Sequence, residues 1–171
     1  MITEVRAGED GDLDRLAEIW HEGWHDGHAR IVPPALTRLR TLESFRHRLD
    51  AALPNIRVAG PPGAPVGFAM LKDDELYQLY VSAPSRGTGV AALLIDDAEA
   101  RLAAAGVETA WLACAIGNER AARFYQKRGW HLVRTVDYEA ETANGCFPLR
   151  VWRYEKTLTV ALTSRDGLVD G

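Results

Sequence analysis

The chain has 171 residues, 47% of them apolar and 26% charged, and its 20 Lys and Arg set against 24 Asp and Glu give a net charge of −4. That length suits one domain with its own core, and that balance suits neither a disordered chain nor an electrostatic nucleic-acid binder. The two cysteines, Cys114 and Cys146, form no CxxC pair, so a disulfide scaffold or zinc ribbon is out and a reducing, cytoplasmic compartment is the default.

No stretch is long enough to cross a bilayer. The longest apolar run, Ala110 to Gly117, falls well short of the ~20 residues a spanning helix needs. Met1 to Arg6 has an acid, Glu4, where a signal peptide would begin its apolar region, so no membrane association is expected.

Taken in chain order, Ile2 to Arg6 alternates and reads as a short strand. Asp12 or Asp14 is placed to cap a helix carrying Leu13, Leu16, Ala17, Ile19 and Trp20 on one side. After Pro33-Pro34, the spacing of Leu36, Leu39, Leu42, Phe45, Leu49 and Leu53 predicts a second helix. Asn55 to Ala59 and Val66 to Leu71 read as a hairpin around the Gly/Pro cluster at 60–65. Glu75 to Val81 alternates, with Glu75, Tyr77, Leu79 and Val81 on one face and Leu76, Gln78 and Tyr80 on the other. A breaker cluster, Ser82 to Gly89, leads into a helix from Val90 to about Ala105 that Gly106 terminates. Val107 to Ile116 is a mostly apolar strand, Asn118 to Arg128 a short helix stopped by Gly129, and Trp130 to Val136 and Leu149 to Tyr154 two closing strands. The order is βααβββαβαββ, an α/β (α+β) mixture over residues 1–158, with 159–171 expected to fray.

The informative segment is Arg86-Gly87-Thr88-Gly89-Val90-Ala91, between a strand and a helix. Two glycines let several backbone N–H groups converge, the helix start adds its positive dipole end, and Arg86 adds a full charge. Such a loop binds phosphate or diphosphate; the plain alternative is a tight turn. No Walker pattern is present. GxGxxA does match at Gly87 to Ala92, which would suit a dinucleotide-dependent oxidoreductase, but Glu108 opens the next strand instead of closing it and little chain remains for a second nucleotide-binding half.

The loop also matches [RQ]xxGx[GA] through Arg86, Gly89 and Ala91, and Asn118 to Trp130 matches NxxAxxFYxxxGF with Trp130 in place of the last Phe. On these two motifs the chain resembles, over roughly residues 2–158, the GNAT superfamily of acetyl-coenzyme-A-dependent N-acetyltransferases. The resemblance implies a mixed sheet, splayed at its centre and flanked by helices, with acetyl-CoA as cosubstrate and no metal. It implies that the pantetheine arm pairs with backbone of Leu79, Tyr80 and Val81, that amides from Arg86 through Gly87, Thr88, Gly89, Val90 and Ala91 hold the diphosphate, and that Asn118 bonds the arm near its reacting end.

An ammonium must lose its proton before it can attack a thioester, and the departing thiolate needs a donor. Tyr125 matches the family's thiol-side acid; otherwise it is a packing residue beside Phe124. Glu75 lies where members with a carboxylate base carry it, directly or through a water; a solvated strand end is the other reading. The acceptor, a small-molecule or peptide amine, is expected near Trp24, His25 and His28, unless these belong to an amphipathic helix with core aromatics. The acidic balance leans toward cationic acceptors, although long-range charge steers encounter more than it selects chemistry. A homodimer paired through terminal strands is compatible with this fold.

His21-Glu22-Gly23-Trp24-His25 is literally HExxH, the helical signature of a zinc hydrolase, with His28 or the remote Glu43 as third-ligand candidates. The extended form of that motif requires Gly and His where this chain has His28 and Ile31, and hydrolysis leaves the glycine loop and the Asn118 segment unexplained. Cys114, in an apolar strand, reads as core rather than as a nucleophile. A non-catalytic module that keeps the coenzyme cleft is the remaining alternative.

Overall fold

The computed structural model describes residues 4–158, so the tail expected over 159–171 and the strand start at Ile2 lie outside the described residues. Seven strands form one sheet: β1 (Val5–Ala7), β2 (Ile56–Ala59), β3 (Gly67–Lys72), β4 (Glu75–Val81), β5 (Thr109–Ala115), β6 (His131–Thr142) and β7 (Gly145–Thr157), in the order β1-β2-β3-β4-β5-β7-β6. Every neighbouring pair is antiparallel except β4–β5. A dinucleotide fold needs a doubly wound parallel sheet, so the GxGxxA match at Gly87 is a turn of another kind.

Strand alternation feeds two cores, one on each face of the sheet. Phe68 and Met70 of β3 pack with Leu16, Trp20, Phe45 and Leu49 from α1 (Leu13–His28) and α3 (Leu42–Ala52). Ala69, between them, packs with Leu94, Ile95 and Ala98 of α4 (Val90–Ala104) on the opposite face. Trp20 centres the first core, with ring centroids 4.7 Å from Phe45 and 5.6 Å from Phe68. Among the described residues no helix is long and apolar enough to cross a membrane.

The structure corrects four local expectations. Asp12 holds the N-cap position of α1 without capping it. Its buried carboxylate instead pairs with Arg6 at 2.7 and 2.8 Å and accepts from the amides of Glu9 and Gly63, each at 2.9 Å. The helix expected from Leu36 to Leu53 is two: α2 (Pro34–Leu39) and α3. Arg40, at φ −90° and ψ 67°, leaves the helical region, and Thr41 restarts the chain by accepting the Ser44 amide at 3.1 Å. Leu42, counted in the apolar stripe, is consequently 46% exposed.

The closing strands are much longer than their apolar cores suggest. β6 and β7 form an arm that reaches the Thr142↔Gly145 pair. Among the described residues, Pro148 sits where β6 alone pairs with β7, the edge position in which a strand tolerates proline.

In β4 the expected alternation is interrupted by a bulge. Met70 pairs with Gln78 but Leu71 with Leu76, leaving Tyr77 as the extra residue. Tyr77 therefore packs against the α1–α3 core, whereas Leu79 and Val81, expected on its face, pack against the α4 core with Leu76. Beyond the bulge β4 leaves β5. Their only register pair is Glu75↔Trp111, at the strand starts, and the sheet opens toward the ends of both strands.

Candidate active site

The opening between β4 and β5 is a cleft of ≈ 440 Å³, the size of a small-ligand site. One end is the glycine loop with the first turn of α4, and α5 (Glu119–Lys127) adds Arg120 to the lining. The other lies between α1, α2 and the β6–β7 arm. Cys114, Asn118 and Tyr125 line the stretch between, against Tyr80 on β4.

At the loop end, Gly87 (φ +75°) and Gly89 (φ +90°) take backbone conformations that L side chains avoid. A Cβ built on either meets nothing within 4 Å, so each glycine answers to backbone conformation and not to crowding. Thr88 hardens the turn by donating its hydroxyl to the Ser85 carbonyl. The first intrahelical bond of α4 runs from the Leu93 amide to the Gly89 carbonyl at 3.1 Å, which leaves the amides of Val90, Ala91 and Ala92 for an anion. Arg86 lies beside them, 3.3 Å from Asp26 of α1. An anionic diphosphate fits these donors. Of the residues expected to hold it, Arg86, Gly87, Gly89 and Ala91 line the cleft; Thr88 and Val90 do not, their side chains serving the turn and the α4 core.

Asn118 caps α5, its Oδ1 accepting the Ala121 amide at 3.4 Å. Its Nδ2 faces Gly27, and a Cβ there would stand 3.2 Å away. The last turn of α1 thus comes down onto the mouth of the cleft because Gly27 has no side chain. Gly23, one turn earlier, does the same for Tyr80, whose Cδ1 would lie 2.6 Å from a Cβ. The glycine inside the HExxH string is therefore a packing residue that lets Tyr80 and α1 approach.

That string does not assemble a metal site here. The His21 and His25 rings lie 4.3 Å apart, and His25 donates Nδ1–H to the His21 carbonyl at 2.7 Å, which leaves the lone pair on Nε2. Among the described residues no group of three or more His, Cys, Asp or Glu is placed to hold a metal ion. His25 does not line the cleft, whereas Trp24 and His28 do, stacked with centroids 4.9 Å apart at 7°. His28 gives its Nδ1–H to the Trp24 carbonyl at 2.9 Å, so Nε2 carries the lone pair. Desolvation pushes its pKa down to about 4, and the ring is neutral at pH 7.

Tyr125 lines the cleft and also packs, 6.4 Å from both Trp130 and Tyr154. Burial drives its pKa up, so its hydroxyl stays protonated and is a donor at neutral pH. Cys114, next to it in the wall, has its thiol pushed up to about 12 by the apolar surroundings, which leaves almost no thiolate.

Glu75 is 5% exposed and does not itself line the cleft. Between it and the cavity stands Tyr138 of β6, which lines the cleft and donates its hydroxyl to Glu75 Oε2 at 3.1 Å. Desolvation raises the Glu75 pKa to about 7, against smaller opposing effects of the Tyr138 hydrogen bond and Lys72. Tyr138 carried no sequence signal, because the apolar pattern of its strand ends at Val136.

Comparison with known proteins places these features in one family. The model of the acetyltransferase (GNAT) family matches residues 13–130. Uncharacterized N-acetyltransferases of Mycobacterium bovis and Mycobacterium tuberculosis are 39% identical over 82 residues, 45% of this chain and 53% of theirs. The chain thus spans about half the length of these curated relatives. Among solved structures, the GCN5-related N-acetyltransferase "Aminotransferase, Class-II" from Rhodopseudomonas palustris superposes with a TM-score of 0.71 at 23% identity, covering 92% of this chain and 98% of that one. The PaiA N-acetyltransferase of Thermoplasma acidophilum, solved in complex with coenzyme A, gives 0.65 at 20% identity over 92% and 99%.

Proposed function

Because the chain belongs to the GNAT acetyltransferase family, we propose that it is an N-acetyltransferase that moves an acetyl group from acetyl-CoA directly to an amine bound beside it. The observation that carries this reading is the cleft itself. The β4–β5 gap joins an anion-binding glycine loop at one end to Tyr125 and the Tyr138–Glu75 pair further in. That a fold relative is solved with coenzyme A supports the choice of carrier. The coenzyme supplies a thioester, an acetyl group already activated toward amines.

In this reading the amides at the start of α4, with Arg86, hold the diphosphate; Arg86 exchanges Asp26 for the ligand. The splayed backbone of Leu79, Tyr80 and Val81, left without a β5 partner, pairs with the pantetheine arm, and Asn118 Nδ2 adds a donor. Trp24 and His28 wall the acceptor end. As the new C–N bond forms, the amine proton passes through the Tyr138 hydroxyl to Glu75. A carboxylate with a pKa of about 7 can hold that proton at neutral pH, and His28 at about 4 cannot. As the C–S bond breaks, the Tyr125 hydroxyl donates a hydrogen bond to the departing sulfur. The nearly thiolate-free Cys114 argues for transfer without an acyl-enzyme.

The same reading favours a cytoplasmic enzyme, supported by two free cysteines, and a homodimer paired along the β6 edge, where Leu132 and Val133 are 49% and 46% exposed. An amine library presented with acetyl-CoA, read by thiol release, tests the proposal. Amine-dependent release is expected for at least one compound, and its absence across the library, with coenzyme bound, would favour a non-catalytic coenzyme-binding module.

A further inference from the structure

The charge inside the cleft is opposite to the charge of the protein. The net charge is −4, yet among the described residues the charged ones lining the cleft are Arg40, Arg86 and Arg120, with no Asp or Glu. Arg86 belongs to the glycine loop, where a diphosphate would use it, and Arg120 to the first turn of α5. Arg40 lies at the other end, between α2 and α3, and nothing in the acetyl-transfer reading accounts for it.

Arg40 is only 6% exposed, an uncommon position for a guanidinium. It stands 5.6 Å over the Trp24 ring and donates Nη1–H to the backbone carbonyl of Glu141. Its Nε is buried and has no hydrogen-bond partner among the described residues. No carboxylate pairs with it there either. The Glu141 carboxylate, the nearest acid on the arm, is engaged by Lys72 at 3.0 Å and by Arg48 at 4.0 Å. A buried cation with no carboxylate in direct contact is costly, and the cost is recovered when a bound ligand brings an anion to it. Burial and the neighbouring Arg48 already lower the Arg40 pKa to about 10, which still leaves it charged at pH 7.

We propose that the acceptor is a small amine that carries its own carboxylate, of the amino-acid class, and that Arg40 binds that carboxylate. The inference rests on the acetyltransferase reading and specifies its acceptor. The planar guanidinium matches a carboxylate with two parallel donors and so fixes the direction from which the amine enters. Leu36, Ala140 and Leu149 close this end of the cleft with apolar surface, which suits a small molecule with an apolar body. The excess of acids over bases in the whole chain acts at long range, on encounter; the selection of the bound group is local, and here it is cationic.

The test compares paired acceptors at saturating acetyl-CoA: leucine, phenylalanine and β-alanine, each beside its carboxamide, assayed by thiol release with wild type, Arg40→Gln and Arg40→Lys. For at least one pair the wild type is expected to prefer the carboxylate by about 30-fold or more in kcat/KM, mainly through KM. Arg40→Gln is expected to shrink that preference to roughly 3-fold or less, and Arg40→Lys to retain part of it, since charge survives but the planar fork does not. Calorimetric affinity for acetyl-CoA, measured on every variant, shows that the fold and the coenzyme end are intact. An equal loss on both members of a pair would mean that Arg40 only props the β6–β7 arm, and it would overturn the inference. So would a wild type that binds acetyl-CoA and acetylates carboxamides or plain amines as well as, or instead of, amino carboxylates; acetyl transfer itself would then stand. Failure to bind acetyl-CoA at all would instead overturn the acetyltransferase reading, and this inference with it.

Discussion

The Tyr138 hydroxyl donates to Glu75 Oε2 at 3.1 Å and stands between that carboxylate and the cleft. Two residues on strands at opposite ends of the sheet order β4-β5-β7-β6 meet here because the β6–β7 arm reaches back to the start of β4. The arrangement connects a buried acid, with a pKa near 7, to the acceptor end of the cavity through one phenol.

If Glu75 takes the amine proton, it must be ionised, so kcat/KM rises with pH through about 7. Glu75→Gln is expected to lower kcat/KM about 100-fold and to abolish that inflection. Tyr138→Phe removes the hydroxyl that relays the proton, so kcat/KM is expected to fall about as far as in Glu75→Gln and to lose the same inflection. A pH profile unchanged in both variants would remove the pair from the mechanism. Stability gives a second check. The folded state holds the Glu75 proton more tightly than the unfolded chain, so this contribution is complete below the ordinary 4.5 and lost as pH rises through about 7. Glu75→Gln should therefore gain stability relative to wild type above pH 7 in thermal melts.

Gly89→Val combines a strained φ of +90° with a branched side chain placed in open space on a residue that lines the cleft. Because no protein atom lies within 4 Å of the new Cβ, the fold should survive with a modest loss, about 1–2 kcal/mol for the strained backbone. Affinity for acetyl-CoA is expected to fall at least about 10-fold, since the strained residue shifts the amides at the start of α4 and adds bulk where a diphosphate would approach them. Equal affinity by calorimetry would make the loop a structural turn.

Gly23→Ala separates helix propensity from packing. Propensity alone favours alanine by about 1 kcal/mol. The new Cβ would stand 2.6 Å from Tyr80 Cδ1, and relieving that contact pushes the ring toward the cleft or α1 off the sheet, a cost of about 1–3 kcal/mol. A Tm lower by about 2–8 °C together with weaker coenzyme binding is expected. A higher Tm would show that α1 and Tyr80 are not tightly apposed.

Local signals carried much of this fold to the surface of the sequence. The Arg86–Ala91 turn was legible because glycine at positive φ and a helix start leave few structural alternatives, and Val90 to Ala104 because its stripe is undisturbed. What escaped depends on distant partners. The bulge at Tyr77 is set by pairing with Met70 and Leu71, and it turned the expected face of β4 over at mid-strand. The outer arm of β6 and β7 alternates around Glu139, Glu141 and Pro148, residues that read as loop until each strand supplies the other's ladder. Arg40 looked like the interior of a helix; its own departure from helical φ and ψ ends α2, and its burial depends on packing that no local pattern announces.

The most direct measurement is a calorimetric titration of the intact protein with acetyl-CoA in the absence of acceptor. One site per chain at sub-millimolar affinity is expected, weakened in Gly89→Val and retained in Glu75→Gln, which acts beyond the coenzyme. No detectable heat and no thermal shift at millimolar acetyl-CoA, with the protein folded, would contradict it.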